Sequence, residues 1–236
     1  MVDVNKKIHI GIIPDGNRRW CKENQHNINY LKEVWVNEIF FKELETIAEI
    51  FKNKKTDSRY RILCQIKEIS LYVLSLDNII KRGNNSVNIQ VNYNILRKFY
   101  TEFKQNYDKL EKIMVMFKLN IIGEKEYLPH DIQQIVKYFE TVVNSGDFII
   151  NIALAYSPKK DIEKLVMKEE KRMLNNQSNI DLLFRSGREK RISGFFPYHT
   201  FYSELYFSDK LWPDIRIADI IEALKKFNKT DRRFGK

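Results

Sequence analysis

Three short segments of this chain hold the residue types that handle phosphate and metal. The first runs from His9 to Lys22 and reads HIGIIPDGNRRWCK. An apolar run delivers Asp15 into a turn with Gly16 and Asn17, and Arg18 and Arg19 follow at once. Aspartate is a hard oxygen ligand, suited to a divalent cation that bridges diphosphate oxygens. Backbone N–H groups of a glycine turn opening into a helix can hold an anion. Pro-Asp-Gly-Asn is also simply a good turn sequence. The second segment, 181–193, reads DLLFRSGREKRIS and offers Arg185, Arg191 and Ser193. Guanidinium groups make paired hydrogen bonds to phosphate oxygens, although the same residues would serve as a basic surface loop. The third, 202–215, reads YSELYFSDKLWPDI. Glu204 sits there among aromatic residues. If that stretch packs, the acid needs a partner or a metal; on a peripheral strand it would face water.

The elements that position these residues follow from hydrophobic period. Apolar runs at 8–13, 69–75, 115–122, 148–155 and 181–185, with a shorter one at 204–207, read as strands. Continuous Ile, Val and Phe suit strands covered on both faces. Between them, 33–51, 95–114, 132–143 and 217–227 carry apolar residues at helical spacing. Alternation of this kind predicts a single α/β domain over 1–236. Its mainly parallel six-stranded sheet would have helices on both faces. Ligands in such sheets bind beyond the carboxyl ends of the strands, where Asp15 and Arg185 fall. Residues 52–61 read as a polar excursion and 175–179 as a linker.

The 236 residues carry 41 Lys and Arg against 31 Asp and Glu, a formal charge of +10. That favours anionic partners of some kind: nucleic acid, acidic lipid or phosphorylated substrate. Apolar residues make up 43%, enough for a substantial core. Cys21 and Cys64 show neither metal-ligand spacing nor a disulfide framework, which points to a reducing compartment. The polar segment 1–7 and the short run 8–13 do not make a signal peptide. No stretch approaches the roughly 20 apolar residues of a membrane span.

Read together and in order, the three segments resemble the cis-prenyltransferases, the family of undecaprenyl and dehydrodolichyl diphosphate synthases. The family patterns are H-x-x-x-I-x-D-G-N-x-R-[WFY]-x-K, D-L-x-[IF]-R-[ST]-G-x-E-x-R-[IL]-S and Y-[AS]-E-L-Y-F-x-[DE]-x-x-W-P-[DE]. The resemblance extends to ISLYVLSLDN at 69–78, NIIG at 120–123 and RRFG at 232–235. It implies condensation of isopentenyl diphosphate with an allylic prenyl diphosphate such as farnesyl diphosphate, dependent on Mg2+. Asp15 would bind the metal with Glu204. Gly16, Asn17, Arg18, Arg19 and Trp20 would cradle the allylic diphosphate. Asn78 would assist proton removal beside Ser75. Arg185, Arg191 and Ser193 would hold isopentenyl diphosphate, and Arg233 and Gly235 would reach a neighbouring subunit's substrate across a homodimer. An apolar tunnel would house the growing chain. The location implied is cytoplasmic, with peripheral contact at a membrane surface. Trans-type synthases use aspartate-rich motifs, and this chain has no Asp-Asp pair.

The chain also departs from the family. Ile28 and Lys32 stand where an Arg and a His are usual, and Lys32 alone keeps a charge. The pattern S-x-E-N-W-x-R becomes Ser75, Asp77, Asn78, Ile79 and Lys81. N-Y-G-G-R becomes Ala155-Tyr156-Ser157-Pro158-Lys159, without the glycines that let backbone approach a ligand. Arg188 stands at a position where Gly or Ser is common. These changes fall on the allylic half of the site. A competing reading is a non-catalytic partner subunit of a heteromer. Another is a basic nucleic-acid-binding module, for which no helix-turn-helix, zinc or RNA-recognition signature is present, so no nucleic acid is expected.

Overall fold

Short β-branched and aromatic runs pair into one sheet, its central strand Ile8–Ile13 buried throughout and its edge strands partly open to water. The computed structural model describes residues 7–53, 56–166 and 178–233. Its strands are β1 (Ile8–Ile13), β2 (Ile66–Ser75), β3 (Phe117–Ile122), β4 (Phe148–Tyr156), β5 (Leu182–Arg185) and β6 (Glu204–Phe207). They stand in the order β3-β4-β2-β1-β5-β6, and every neighbouring pair is parallel. Register places Ile13 beside Arg185, and Arg185 beside Phe207. The chain leaves β1 and β5 side by side at their carboxyl ends. That is the crevice where open parallel sheets take ligands.

Alternation along β1 divides the core. Ile8, Ile10 and Ile12 join Leu182 and Phe184 against α4 (Ser58–Leu63) and α10 (Ile217–Phe227). Apolar residues 217, 220, 221, 224 and 227 form the buried stripe of α10. Its start is capped by the Asp219 carboxylate, which accepts from the Arg216 N–H at 2.9 Å. Ile13 packs in a smaller cluster with Leu183, Phe195 and Phe196. A third cluster joins Leu74 and Leu154 to α6 (Val87–Gln105), α7 (Tyr107–Met114) and α8 (His130–Val142). Full burial of each such large side chain contributes roughly 1.5–3 kcal/mol.

Several boundaries differ from the sequence expectation. β2 begins at Ile66. β3 begins at Phe117, because Val115 and Met116 occupy an exposed turn. The helix expected over 95–114 is two helices parted at Asn106, whose amide donates to the Glu102 carbonyl at 2.8 Å and so ends the first. It also starts earlier, at Val87. The helix expected over 33–51 spans 31–52 and contains a π-helical stretch, Val34–Phe41, followed by α3 (Lys42–Lys52). Within 52–61, Asp57 caps α4, and residues 54–55 lie outside the described residues, as do 175–177 of the expected linker.

A polar network crosses the sheet interior. His9 Nε2 is 2.8 Å from Ser70 Oγ, Asn151 donates to Glu68 at 2.6 Å, and Ser178 donates to Glu68 at 2.6 Å. Burial holds both His9 and His199 below the ordinary imidazole range. A histidine kept neutral in the fold takes up its proton more readily when unfolded. Stability is therefore fully present above about pH 6.5 and declines as pH falls below it, by at most about 1.4 kcal/mol per group per pH unit. The urea midpoint should be lower at pH 5.5 than at pH 7.5. An equal or higher midpoint at pH 5.5 would contradict this.

Candidate active site

The site grows from the end of β1. Gly16 adopts φ +101°, and a Cβ there would stand 2.8 Å from Leu211 Cδ2, so glycine is required to turn the chain into α1 (Asn17–Glu23). The turn presents the Asp15 carboxylate. Oδ1 accepts from the Gly16 N–H at 2.6 Å and lies 3.5 Å from Arg19 Nη2. Oδ2 accepts from Arg185 Nη2 at 2.7 Å. The Asp15 carbonyl accepts from Ser186 Oγ at 2.9 Å and from the Trp212 N–H at 3.0 Å. Residues remote in sequence thus hold Asp15 in place.

Arg185, at the last position of β5, is only 3% exposed. Its Nη1 donates to Ser193 Oγ at 2.8 Å and to the Arg191 carbonyl. Beyond it, Glu189 pairs with Arg19 at 3.7 Å and with Arg191 at 2.5 Å. The result is a row of alternating charge: Arg185, Asp15, Arg19, Glu189, Arg191. Burial pushes the nearby Tyr72 phenol up to about 12, so it stays protonated at neutral pH. Gly187 lies against the Asp15 turn with φ +91°, and a Cβ would come 2.7 Å from the Asp15 carbonyl carbon. Gly187→Ala should destabilise the fold by about 1–3 kcal/mol and lower activity by displacing Asp15. Unchanged thermal midpoint and kcat would refute that close approach.

A cavity of about 630 Å3 opens over this row. Its lining combines charged groups, among them Asp15, Arg18, Arg19 and Arg191, with apolar ones, among them Leu31, Trp35, Val73 and Ile95. Such a space suits a ligand with an anionic head and a hydrocarbon body.

The prenyltransferase family model for undecaprenyl diphosphate synthase matches residues 13–235. The chain belongs to the undecaprenyl diphosphate synthase family. Among relatives of this family, the geranylgeranyl-diphosphate-specific tritrans,polycis-undecaprenyl-diphosphate synthase of Aeropyrum pernix is 32% identical. That match covers 96% of this chain and 97% of the relative. The farnesyl-diphosphate-specific ditrans,polycis synthase of Buchnera aphidicola is 30% identical over 96% and 90% of the two chains. Among solved structures, lavandulyl diphosphate synthase from Lavandula x intermedia, in complex with dimethylallyl diphosphate, superposes with TM-score 0.74 at 25% identity. It covers 99% of this chain and all of that one.

Of the residues expected from the family motifs, the fold brings Asp15, Gly16, Asn17, Arg18, Arg19, Asn78 and Arg191 to one cavity, with Arg185 and Ser193 bonded beneath. Others stand off its wall. Trp20 turns away, donating from Nε1 to Asp214 at 2.8 Å and stacking on His26. Lys32 is not among the lining residues, whereas Ile28 is. Ser75 caps α5 (Leu76–Arg82) by accepting from the Asn78 N–H at 3.2 Å. Asp77 and Lys81 are exposed on that helix, and Arg82 faces the cavity instead. One residue along a helix turns the side chain by about 100°, which puts Arg82 and not Lys81 on the cavity wall. Glu204 stands apart for a different reason. It begins β6 opposite Leu182, at the amino side of the sheet, while Asp15 lies past the carboxyl end of β1. Within one chain the two acids do not form a pair. Arg233 is exposed and bonds Asp231 at 3.1 Å, and Gly235 lies outside the described residues.

The motifs did not single out Lys22, Trp35, Asn88, Asn92 or Glu189 as cavity residues. Trp35, which donates to Asn17 Oδ1 at 2.9 Å, reads in sequence as one more apolar residue of an amphipathic helix. Among the described residues no three His, Cys, Asp or Glu side chains converge as a metal cage. The Asp15 carboxylate, beside Arg18 and Arg19, nevertheless fits Mg2+, which commonly takes one or two carboxylates and completes its shell with substrate phosphates and water.

Proposed function

We propose that this chain is a cis-prenyltransferase that condenses isopentenyl diphosphate with an allylic diphosphate to give a longer Z-polyprenyl diphosphate. The observation that supports this reading is a cavity whose lining joins Asp15, braced on Arg185, and further arginines to apolar side chains. Breaking the allylic C–O bond leaves negative charge on diphosphate and positive charge on carbon. Arg18 and Arg19 would stabilise the first. Asp15 would hold Mg2+, which supplies further charge neutralisation to the leaving diphosphate. Arg191 and Ser193, oriented by Arg185, would grip isopentenyl diphosphate. Its alkene electrons form the new C–C bond, and a proton is then lost to a base near Asn78. The apolar side chains exclude water from the cationic carbon.

A homodimer fits the edge of the sheet at β6, where Phe201 is 73%, Tyr202 66% and Leu205 50% exposed. Faces of this kind mark interaction surfaces. Among the described residues, no helix is long and apolar enough to cross a membrane, and a hydrophobic product would bring the enzyme to a membrane surface transiently. The two relatives differ in primer, so both primers belong in the test. Purified protein, labelled isopentenyl diphosphate, farnesyl or geranylgeranyl diphosphate and Mg2+ should yield butanol-extractable product that chelator abolishes. Its mass in solution should be that of two chains. No product with either primer would refute the reading and turn attention to a heteromeric partner.

A further inference from the structure

Among the described residues that line the cavity, Asp15 and Glu189 are the acids. Asp15 has a role in the function proposed above. Glu189 has none there, yet it sits between the two guanidiniums best placed to meet a diphosphate, 3.7 Å from Arg19 and 2.5 Å from Arg191. These two arginines come from different segments, α1 and the loop after β5. Glu189 is 35% exposed, so the pairs are held at the cavity surface and are exchangeable.

We infer that Glu189 is a place-holder for the substrate anion: its carboxylate pairs with the guanidiniums of Arg19 and Arg191 and must be displaced when a diphosphate binds. This rests on the cavity being a diphosphate site. A carboxylate and a phosphoryl oxygen compete for the same paired N–H donors. Without Glu189, Arg19 and Arg191 would face each other with uncompensated like charge. With it, the row from Arg185 to Arg191 alternates in sign, and each incoming anion meets a competitor already in position. The same competition acts in reverse after each condensation. As inorganic pyrophosphate leaves, Glu189 takes back Arg19, and it takes back Arg191 when the diphosphate of the lengthened product leaves that guanidinium. Glu189 thus weakens binding of an anion the enzyme must release at every cycle.

The test is calorimetric titration of the full chain with inorganic pyrophosphate in the presence of chelator, comparing wild type, Glu189→Gln and Glu23→Gln. Glu23 pairs with Arg188 at 3.0 Å and does not line the cavity, so its variant changes net charge by the same amount elsewhere. Glu189→Gln should tighten pyrophosphate binding by about threefold or more, the scale of one exposed ion pair, and Glu23→Gln should change it less. Pyrophosphate inhibition of turnover should strengthen in parallel in Glu189→Gln. Equal or weaker binding by Glu189→Gln, or equal tightening by Glu23→Gln, overturns the place-holder while leaving the anion site standing. Failure of all three proteins to bind pyrophosphate overturns both.

Discussion

Asp15→Ala should lower kcat/KM by about a hundredfold or more, the scale of removing one preorganised electrostatic group from a reacting site. Asp15 is the carboxylate on which Gly16, Arg19 and Arg185 converge. The variant should also lose some stability. Arg185 is 3% exposed, and removing its partner leaves a buried cation poorly compensated. Asp15 itself is 32% exposed, so water moderates the loss to about 1–2 kcal/mol. Asp15→Asn separates the two effects. It keeps the shape and a hydrogen-bonding oxygen but not the charge, so it should fold nearly as well as wild type and remain as inactive as the alanine variant. Steady-state kinetics with a urea midpoint for each variant make the comparison. An asparagine variant with more than about a tenth of wild-type turnover would remove the charge of Asp15 from the mechanism.

Arg185→Lys should raise KM for isopentenyl diphosphate about tenfold or more and lower the thermal midpoint by several degrees. Arg185 uses its fork in two directions, with Nη2 on Asp15 and Nη1 on Ser193 Oγ and the Arg191 carbonyl. A lysine ammonium has the charge but not the planar reach to satisfy both sets, so one side of the site comes loose. The resulting loss of about 2–3 kcal/mol corresponds to roughly 4–12 °C in a chain of this size. Kinetic and structural effects should appear together here, in contrast to Asp15→Asn. A lysine variant with wild-type KM and midpoint would show that the fork is not used in this way.

Much of this arrangement can be read from local pattern. Six apolar runs become the six strands; the signal is most continuous in β1, which is buried on both faces. Asp15 and Arg185 were identifiable because each lies where an apolar run ends, and a parallel sheet brings such ends together. What escaped depends on rotation rather than on spacing. Arg82 rather than Lys81, Trp20 turned to Asp214, and Trp35 turned to the cavity are all decided by the phase of a helix, which a motif aligned by residue number does not contain. Glu204 illustrates the other loss. Its motif says that an acid is present, but only the register Leu182–Glu204 says at which end of the sheet it stands. The break at Asn106 was hidden because the apolar stripe runs past it without interruption, while the side chain ends the helix.

The pairing of Asp15 with Arg185 spans 170 residues, and β1 lies between β2 and β5. A ribosome therefore releases β1 first and the strand that closes its second edge long afterwards. Until residues 182–185 emerge, β1 can zip to β2 on one side while its other edge stays an open row of backbone donors and acceptors. Closing that edge waits on a long loop, which makes the step entropically slow. The nascent chain is thus exposed to mispairing for most of its synthesis, and the final strands complete the sheet and the charged row in one event.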